Sequence, residues 1–320
     1  MERPVPLVVI VGPTAVGKTA VAVEVAKKIG GEIVSADSMQ VYRYMDIGTA
    51  KPTEEERQGI PHHMIDVVDP AEAYSVALYQ AQARRCIREI WERGRVPLLV
   101  GGTGLYVKAV LEPLHFAGAG VDEAFRRRMC AVAREKGPLA VYRLLKEVDP
   151  EAAERIHPHN VKRVIRALEI YHLTGRPMSQ RLQELKEDPP PYRAVLYGLT
   201  MEREKLYRRI EARVDEMLQR GLVEEVRGLL ERGYGPGLVS MQGLGYKEMA
   251  AYLRGLSTLS EAVYLLKRNT RRFAKRQFTW FKKDGRICWI DVGNYSSIME
   301  VVQEITTGAE GVLKEASKSN

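Results

Sequence analysis

The chain has 320 residues, of which 45% are hydrophobic, and a formal net charge of +8 at pH 7 with a pI near 9.3. It is long enough for one large domain or two modest ones that fold without a partner, and its basic charge weakly favours a polyanionic partner. The three cysteines, Cys86, Cys130 and Cys288, are odd in number and widely spaced, which argues against a disulfide framework or a zinc site and favours a reducing cytoplasm.

The first residues, MERPVPLVVIVG, contain a short apolar run that leads directly into a glycine-containing motif. This placement indicates a buried strand and not a signal peptide, and no segment approaches the roughly 18 apolar residues of a membrane span. We therefore expect a soluble, monomeric protein with no membrane partner.

The first third of the chain alternates strands and helices. Apolar runs predict strands at Leu7–Val11, Glu32–Ala36 and Val96–Val100, and helical periodicity predicts helices at Thr19–Ile29 and Ser75–Arg93. Such alternation is typical of a parallel α/β sheet.

The pattern changes between about Val121 and Lys186, where no strands are predicted. Short helices are expected at Asp122–Glu135, Pro138–Glu147 and Asn160–Leu173, followed by the stiff boundary DPPPY. We interpret residues 121–190 as a helical insertion that divides an α/β core into a first part, 1–120, and a second part, 191–320.

The second part of the core is predicted to resume with a strand at Ala194–Leu199. Two long helices follow, from Glu202 to about Glu231 with a break at Gly221, and from Leu259 to about Lys283. Ile287–Val292 is a candidate edge strand, and the tail from Lys314 is expected to fray.

The motif GPTAVGKT has the residues of a phosphate-binding loop (the P-loop, Gly12–Thr19), between a predicted strand and a predicted helix. Its glycines let backbone N–H groups converge on phosphate, Lys18 neutralises charge, and Thr19 is a candidate Mg²⁺ ligand. The predicted phosphate-binding residues are Gly12, Thr14, Ala15, Val16, Gly17, Lys18 and Thr19. The motif does not identify the phosphate, since Val96–Val100 runs into GGTG and not into an aspartate.

Other polar residues are expected near this loop. Asp37 and Ser38 follow the second strand and Thr103 follows the third, at the edge where ligands of α/β sheets gather, so Asp37 is a candidate base. A helix cap or a turn explains these positions equally well.

Arg209 and Arg213 lie four residues apart on one helix face, where they can clamp a diphosphate or simply form a solvated basic surface. His62 and His63 lie in a proline-flanked loop without further metal-ligand residues, so a loop role is expected for them.

The segment Lys267–Arg286 has nine basic residues against the single acid Asp284, interleaved with aromatic residues. Basic residues at 268, 271, 272, 275 and 276, among them Lys275 and Arg276, form one helical stripe, which favours contact with a nucleic acid over a solvated face. Lys162–Arg166 is a second basic patch.

Six segments in this order resemble the tRNA dimethylallyltransferase family over about residues 5 to 292: GPTAVGKT, SADSMQVYRYMDIGTAKP, VGGTGLY, RIHPHNVKRVIRALE, SMQGLGYKEM and AKRQFTWF. The resemblance implies a P-loop NTPase-like fold and transfer of a dimethylallyl group from dimethylallyl diphosphate to N6 of the adenine 3′ of the anticodon.

The resemblance also implies roles for particular residues. Asp37 would be the catalytic base, Lys18, Thr19 with Mg²⁺, Arg209 and Arg213 would hold the diphosphate, and the helical insertion would clasp the anticodon stem-loop around a flipped-out adenine. Contacts to tRNA are implied for Asp37, Ser38, Met39, Gln40, Thr103, Arg126, Lys162, Arg163, Val164, Ile165, Arg166, Met241, Gln242, Gly243, Leu244, Gly245 and Tyr246.

Three other functions remain open at this point. An ATP-dependent small-molecule kinase shares the P-loop and an aspartate after the second strand. A prenyltransferase acting on free adenine nucleotides shares the chemistry but does not need the basic regions. An RNA-binding protein that keeps the P-loop for structure would have no catalytic use for Asp37.

Overall fold

The computed structural model of the chain describes residues 4–112, 120–184 and 189–317. These residues form two compact units, one drawn from Met1–Leu111 and Pro191–Asn320 and the other from Glu112–Pro190. The end of the tail predicted to fray, at residues 318–320, lies outside the described residues.

The first unit is built on a six-stranded sheet in the order β3-β2-β4-β1-β5-β6, and every neighbouring pair is parallel. This arrangement confirms the predicted α/β class. The strands are β1 (Val5–Val11), β2 (Gly31–Ser35), β3 (His62–His63), β4 (Val96–Gly101), β5 (Tyr192–Thr200) and β6 (Ile287–Asp291).

Helices of the first unit cover both faces of the sheet. They are α1 (Lys18–Ile29), α2 (Glu54–Arg57), α3 (Val76–Glu92), α4 (Gly104–Leu111), α10 (Arg203–Gln219), α11 (Leu222–Glu231), α12 (Tyr246–Leu253), α13 (Leu259–Phe281) and α14 (Ile298–Ser317). The second unit contains α5 (Glu123–Glu135), α6 (Pro138–Val148), α7 (Pro150–Arg155), α8 (Val161–Thr174) and α9 (Met178–Glu184).

The strand β1 shows why its sequence is apolar without alternation. Leu7, Val9 and Val11 pack into one core, with side chains of α3, α4 and α11–α13, whereas Val8 and Ile10 pack into the other, with α1 and α14. A parallel strand covered on both faces has no solvent side, so a continuous apolar run is what it requires.

The second unit has a core of its own, formed mainly by α6, α7 and α8. The helices α5 and α8 begin at side-chain caps: Asp122 accepts from the Phe125 N–H, and Asn160 accepts from the Arg163 N–H. Gly175 ends α8 with φ +67°, a left-handed conformation that glycine adopts without strain.

Most predicted elements are confirmed, with a few differences. The break at Gly221 is confirmed, since that residue separates α10 from α11 with φ +93°. His62 and His63 form the short edge strand β3 where a loop was expected, because they pair with Ile33 and Val34 of β2. The helix α14 continues to Ser317, past the predicted start of fraying at Lys314. Within the described ranges, no helix is long and apolar enough to cross a membrane.

Candidate active site

A cavity of about 710 Å³ in the first unit opens beside the P-loop. It is bounded by the P-loop, the segment after β2, the turn after β4, and residues of α10 and α13. Sixteen of the predicted site residues line it: Thr14, Ala15, Gly17, Lys18, Thr19, Asp37, Ser38, Met39, Gln40, Arg209, Arg213, Gln242, Gly243, Leu244, Tyr246 and Arg276.

The P-loop is held in a conformation that most residues avoid. Gly12 has φ +148°, and a Cβ there would lie 2.5 Å from the Leu199 carbonyl oxygen of β5, so only glycine fits. Ala15 adopts φ +65°, which costs a non-glycine residue roughly 1–2 kcal/mol and is tolerated where surrounding contacts fix the backbone. Val16 is 1% exposed and anchors the loop in the core, away from the cavity.

Lys18 begins α1, and its ammonium group is turned onto the loop itself. Nζ donates to the carbonyl oxygens of Gly12 at 2.9 Å and Pro13 at 2.8 Å. Burial, and secondarily the positive charge of Arg213, lowers the pKa of Lys18 to about 7, although Asp37 opposes the shift. An anion bound at the start of α1 reverses this balance, because it favours the charged amine.

The two arginines of α10 reach the same loop. Arg213 Nη1 lies 3.5 Å from the Thr14 hydroxyl oxygen, and Arg209 Nη1 lies 3.9 Å from the point that a Cβ on Gly17 would occupy. Burial lowers the pKa of Arg213, but the group stays charged at neutral pH. Lys18, Arg209 and Arg213 therefore concentrate positive charge at one end of the cavity.

Asp37 follows β2 and lines the cavity near Lys18. Its Oδ1 accepts from the backbone N–H groups of Met39 at 2.8 Å and Gln40 at 3.4 Å, while Oδ2 accepts no hydrogen bond from the described residues. The carboxylate is thus oriented by the turn that it caps and keeps one oxygen for another partner.

Thr103 supports this turn and is absent from the lining of the cavity. Its Oγ1 accepts from the Ser38 N–H at 3.0 Å and lies 3.3 Å from the Ser38 hydroxyl. Thr103 therefore positions the turn at Ser38, and its contact with tRNA stays a prediction.

Glu225 of α11 is a supporting residue that sequence analysis did not find. Its carboxylate accepts from the backbone N–H groups of Asp46, Ile47 and Gly48 at 2.8–3.1 Å and from the Tyr246 hydroxyl at 2.6 Å. Because this segment follows Asp37–Gln40, Glu225 helps to fix the wall of the cavity.

Several residues expected to touch tRNA are buried. Met241 and Tyr246 are 0% exposed, and Val164 and Ile165 are 1% and 4% exposed. The helical period turns Val164 and Ile165 inward while Lys162 and Arg163 stay exposed. Tyr246 is buried but still lines the cavity, and RNA contact by these four residues stays a prediction. Gly245, with φ +91°, precedes α12 and does not line the cavity.

Arg126 and Arg166, also expected to touch tRNA, both bind Glu169. Glu169 is 0% exposed; Arg126 Nε lies 2.9 Å from its Oε1, and Arg166 Nη1 contacts its Oε2. Burial alone would raise the pKa of Glu169, but hydrogen bonds from both arginines and from the Asp122 N–H keep it lowered. These guanidinium groups therefore have a structural task within the second unit.

The basic segment Lys267–Arg286, which contains the stripe of α13, is partly neutralised. Lys267 pairs with Asp215 at 2.7 Å and Arg271 pairs with Glu211, both acids belonging to α10. The residues of the stripe that remain exposed are Arg272, Lys275 and Arg276. Most of the interleaved aromatic residues pack inward, as Phe281 does with 3% exposure, whereas Trp280 is 39% exposed.

Each ring of the histidine pair lies within hydrogen-bond distance of a protein oxygen. His63 Nε2 lies 2.7 Å from Glu32 Oε2, and His62 Nδ1 lies 2.8 Å from the Ile60 carbonyl oxygen. Among the described residues there is no group of three or more His, Cys, Asp or Glu side chains suited to a metal ion.

Comparison with known proteins identifies relatives over nearly the whole chain. A sequence profile of IPP transferases matches residues 40–284, and one of isopentenyl transferases matches residues 5–69. The tRNA dimethylallyltransferase of Pelotomaculum thermopropionicum is 54% identical over 308 residues, which cover 96% of this chain and 98% of the relative. That of Desulforudis audaxviator is 54% identical over 310 residues, covering 97% and 99%.

Solved structures give the same result. The full-length tRNA isopentenylpyrophosphate transferase of Bacillus halodurans superimposes with a TM-score of 0.74 at 49% identity, covering 98% of each chain. A eukaryotic dimethylallyltransferase captured acting on tRNA superimposes with a TM-score of 0.76 at 31% identity, covering 90% of this chain and 74% of that one.

Proposed function

This chain belongs to the IPP transferase family of tRNA dimethylallyltransferases, and from that premise we propose the reaction that its cavity carries out. The enzyme transfers a dimethylallyl group from dimethylallyl diphosphate to N6 of the adenine 3′ of the anticodon in tRNA and releases diphosphate. One observation carries the proposal: the P-loop, Arg213 and Asp37 line a single cavity, so an anion site and a candidate base stand side by side.

A diphosphate leaving group explains why the P-loop is not accompanied by an acidic residue at the end of β4. The strand β4, one of the two that flank β1, runs into Gly101–Gly104 with no acid at its end. Transfer of a γ-phosphoryl group commonly uses an aspartate that positions Mg²⁺ there. Release of diphosphate from an allylic carbon needs the phosphates to be held but needs no in-line attack on phosphorus.

Breaking the allylic C–O bond places negative charge on the departing diphosphate. Backbone N–H groups of the P-loop, together with Lys18, Arg209 and Arg213, stabilise that charge as it develops. Because these groups are already assembled at the start of α1, little reorganisation is required during the reaction.

Thr19 fits the role of a Mg²⁺ ligand. Its hydroxyl lines the cavity beside Lys18 and makes no side-chain hydrogen bond within residues 4–112, 120–184 and 189–317. Water molecules and substrate phosphates supply most of the ligands of a bound Mg²⁺, so one protein hydroxyl is a sufficient anchor. When bound, the ion neutralises charge on the diphosphate oxygens.

Asp37 acts on the other substrate. The exocyclic amine of adenine is a weak nucleophile, and the free Oδ2 of Asp37 accepts a hydrogen bond from it and then takes its proton. The N6–C bond forms as the C–O bond breaks, the proton moves to the carboxylate, and the electron pair leaves with diphosphate.

The adenine reaches Asp37 only if it leaves the stack of the anticodon loop. Flipping a base costs a few kcal/mol, which contacts to phosphates and bases elsewhere must offset. Arg272, Lys275 and Arg276 of α13, with Lys162 and Arg163 of α8, are the exposed cations that supply such contacts. They also argue against free nucleotides as the acceptor.

The test mixes the protein with Mg²⁺, dimethylallyl diphosphate and unmodified tRNA, digests the RNA and measures nucleoside masses. We expect an adenosine heavier by one dimethylallyl unit, formed at one site and absent when AMP replaces tRNA. Alkylation of AMP at a comparable rate, or phosphate transfer from ATP in place of alkylation, would refute the proposal.

A further inference from the structure

Gln277 of α13 joins two loops that border the cavity. It is 6% exposed, its Oε1 accepts from the Thr14 backbone N–H at 2.9 Å, and its Nε2 donates to the Gly102 carbonyl oxygen at 3.0 Å. One side-chain amide therefore satisfies a P-loop donor and an acceptor in the turn after β4.

The turn after β4 is shaped to admit this helix. A Cβ on Gly102 would lie 2.2 Å from Gln277 Nε2, and a Cβ on Gly104 would lie 2.1 Å from the Trp280 ring. Because no side chain fits at either position, two glycines of GGTG allow α13 to approach closely enough for Gln277 to reach the P-loop.

Thr14 connects this amide to the groups that would grip the diphosphate. Its hydroxyl lies 3.5 Å from Arg213 Nη1, and the preceding carbonyl group, that of Pro13, accepts from Lys18 Nζ. The next residue, Ala15, has the left-handed φ of +65°, which persists only where neighbouring contacts enforce it.

We propose that Gln277 is a positioning residue for the donor diphosphate: by joining the Thr14 N–H to the Gly102 carbonyl oxygen, it sets the P-loop and Arg213 in the geometry that stabilises the leaving group. This inference rests on the proposed function. Gln277 also lines the cavity, but its amide is engaged by the Thr14 N–H and the Gly102 carbonyl oxygen, so it acts through these two loops.

The geometry requires an amide at this position. Methionine fills similar space but leaves the Thr14 N–H and the Gly102 carbonyl unpaired. An ionised glutamate accepts from Thr14 but cannot donate to Gly102, whereas a protonated glutamate does both. Protonation of the new carboxylate should therefore restore function in the Gln277→Glu variant.

The first measurement is kcat/KM for dimethylallyl diphosphate at saturating tRNA. We expect Gln277→Met to lower it by roughly 10- to 100-fold, the range in which misplaced transition-state contacts fall, while tRNA affinity changes by less than about twofold. Gln303→Met and Gln303→Glu are matched controls on α14, where Gln303 accepts from Lys28 outside the cavity, and both should match the wild type.

The second measurement is the pH profile of Gln277→Glu. Its kcat/KM relative to wild type should rise at least about threefold from pH 8.5 to pH 6, because protonation restores the donor to Gly102. The same ratio for Gln277→Met should not change with pH. This comparison separates the effect of the new carboxyl from that of the other charged groups around the cavity. Those groups are Lys18, Asp37, Glu56, His62, Arg209, Arg213, Glu216, Lys247 and Arg276.

A third variant tests the interlock from the other side. In Gly102→Ala the new Cβ displaces the Gln277 amide, so kcat/KM should fall as in Gln277→Met, and adding Gln277→Ala should cost little more. Additive losses, a pH-independent Gln277→Glu ratio, or a Gln277→Met enzyme within twofold of wild type would each overturn the inference. A wild-type enzyme that does not alkylate tRNA would instead count against the proposed function.

Discussion

The lowered pKa of Lys18 predicts that donor binding takes up a proton. In the free protein burial and Arg213 lower this pKa to about 7, so at pH 8 only about a tenth of the molecules carry the ammonium form. A bound diphosphate favours the charged amine and raises the pKa again. Binding therefore draws a proton from the buffer above pH 7, and affinity falls as pH rises.

The size of the effect follows from the two protonation states. If the bound-state pKa returns to about 10.4, uptake is about 0.9 protons at pH 8, and Kd rises about ninefold between pH 8 and pH 9, or about 1.3 kcal/mol. The donor itself contributes little there, because its last ionisation resembles that of a phosphate monoester, at about pH 6.

Titration calorimetry of dimethylallyl diphosphate with Mg²⁺ and without tRNA measures this directly. Heats compared in two buffers of different ionisation enthalpy give the number of protons taken up. Lys18→Met is the control: it should bind more weakly at pH 7, show no buffer dependence, and approach the wild-type Kd at high pH. If wild-type binding showed no proton uptake and the same flat profile as Lys18→Met, the reasoning would be wrong.

Three further predictions follow from the same structure. Asp37→Asn should lower turnover by about 10²- to 10⁴-fold in single-turnover assays while donor affinity stays within about twofold, whereas an active Asn variant would exclude Asp37 as the base. Replacing the exposed cations of α13, Arg272, Lys275 and Arg276, by glutamine should reduce the salt slope of tRNA binding by about 2. Lys267 is already paired with Asp215, so Lys267→Gln should change the slope far less. Arg126→Ala should destabilise the protein by about 1–3 kcal/mol in urea unfolding, because Glu169 stays buried with one cation fewer, and the loss should shrink in the Glu169→Gln background.

The sequence predicted the sheet and the P-loop because both are encoded locally. A strand covered on both faces must be apolar throughout, as Leu7–Val11 is, and the phosphate-binding motif requires particular residues at fixed spacing. The positions of Lys18, Thr19 and Asp37 around one cavity follow from the strand ends of a parallel sheet.

Local sequence patterns could not predict hydrogen bonds and ion pairs between residues far apart in the chain. Gln277 binds a residue 263 positions away, Glu225 binds Ile47 across 178 positions, and Arg271 is neutralised by Glu211 across 60. No local pattern shows which of many polar side chains will meet after folding. For the same reason a basic stripe on one helix looked more strongly charged than the folded surface is.

Motifs that mark a family also mix residues of different kinds. In SMQGLGYKEM, Gln242 and Gly243 line the cavity, while the Met241 side chain lies fully in the core. Similarity over a segment therefore pointed to residues around this cavity but could not separate those that line it from those that support it, since a packed residue is constrained as strongly as a functional one.

Asp37 shows that the structural and the catalytic interpretation of one residue can both hold. The turn interpretation is correct, because Oδ1 accepts from the Met39 N–H at 2.8 Å. That bond does not compete with catalysis, since it leaves Oδ2 without a partner among the described residues and fixes the plane of the carboxylate beside the cavity. An asparagine keeps the Oδ1 acceptor and loses only the base, whereas an alanine loses the turn as well, so a difference in stability between the two variants measures the structural role and their shared loss of turnover measures the catalytic one.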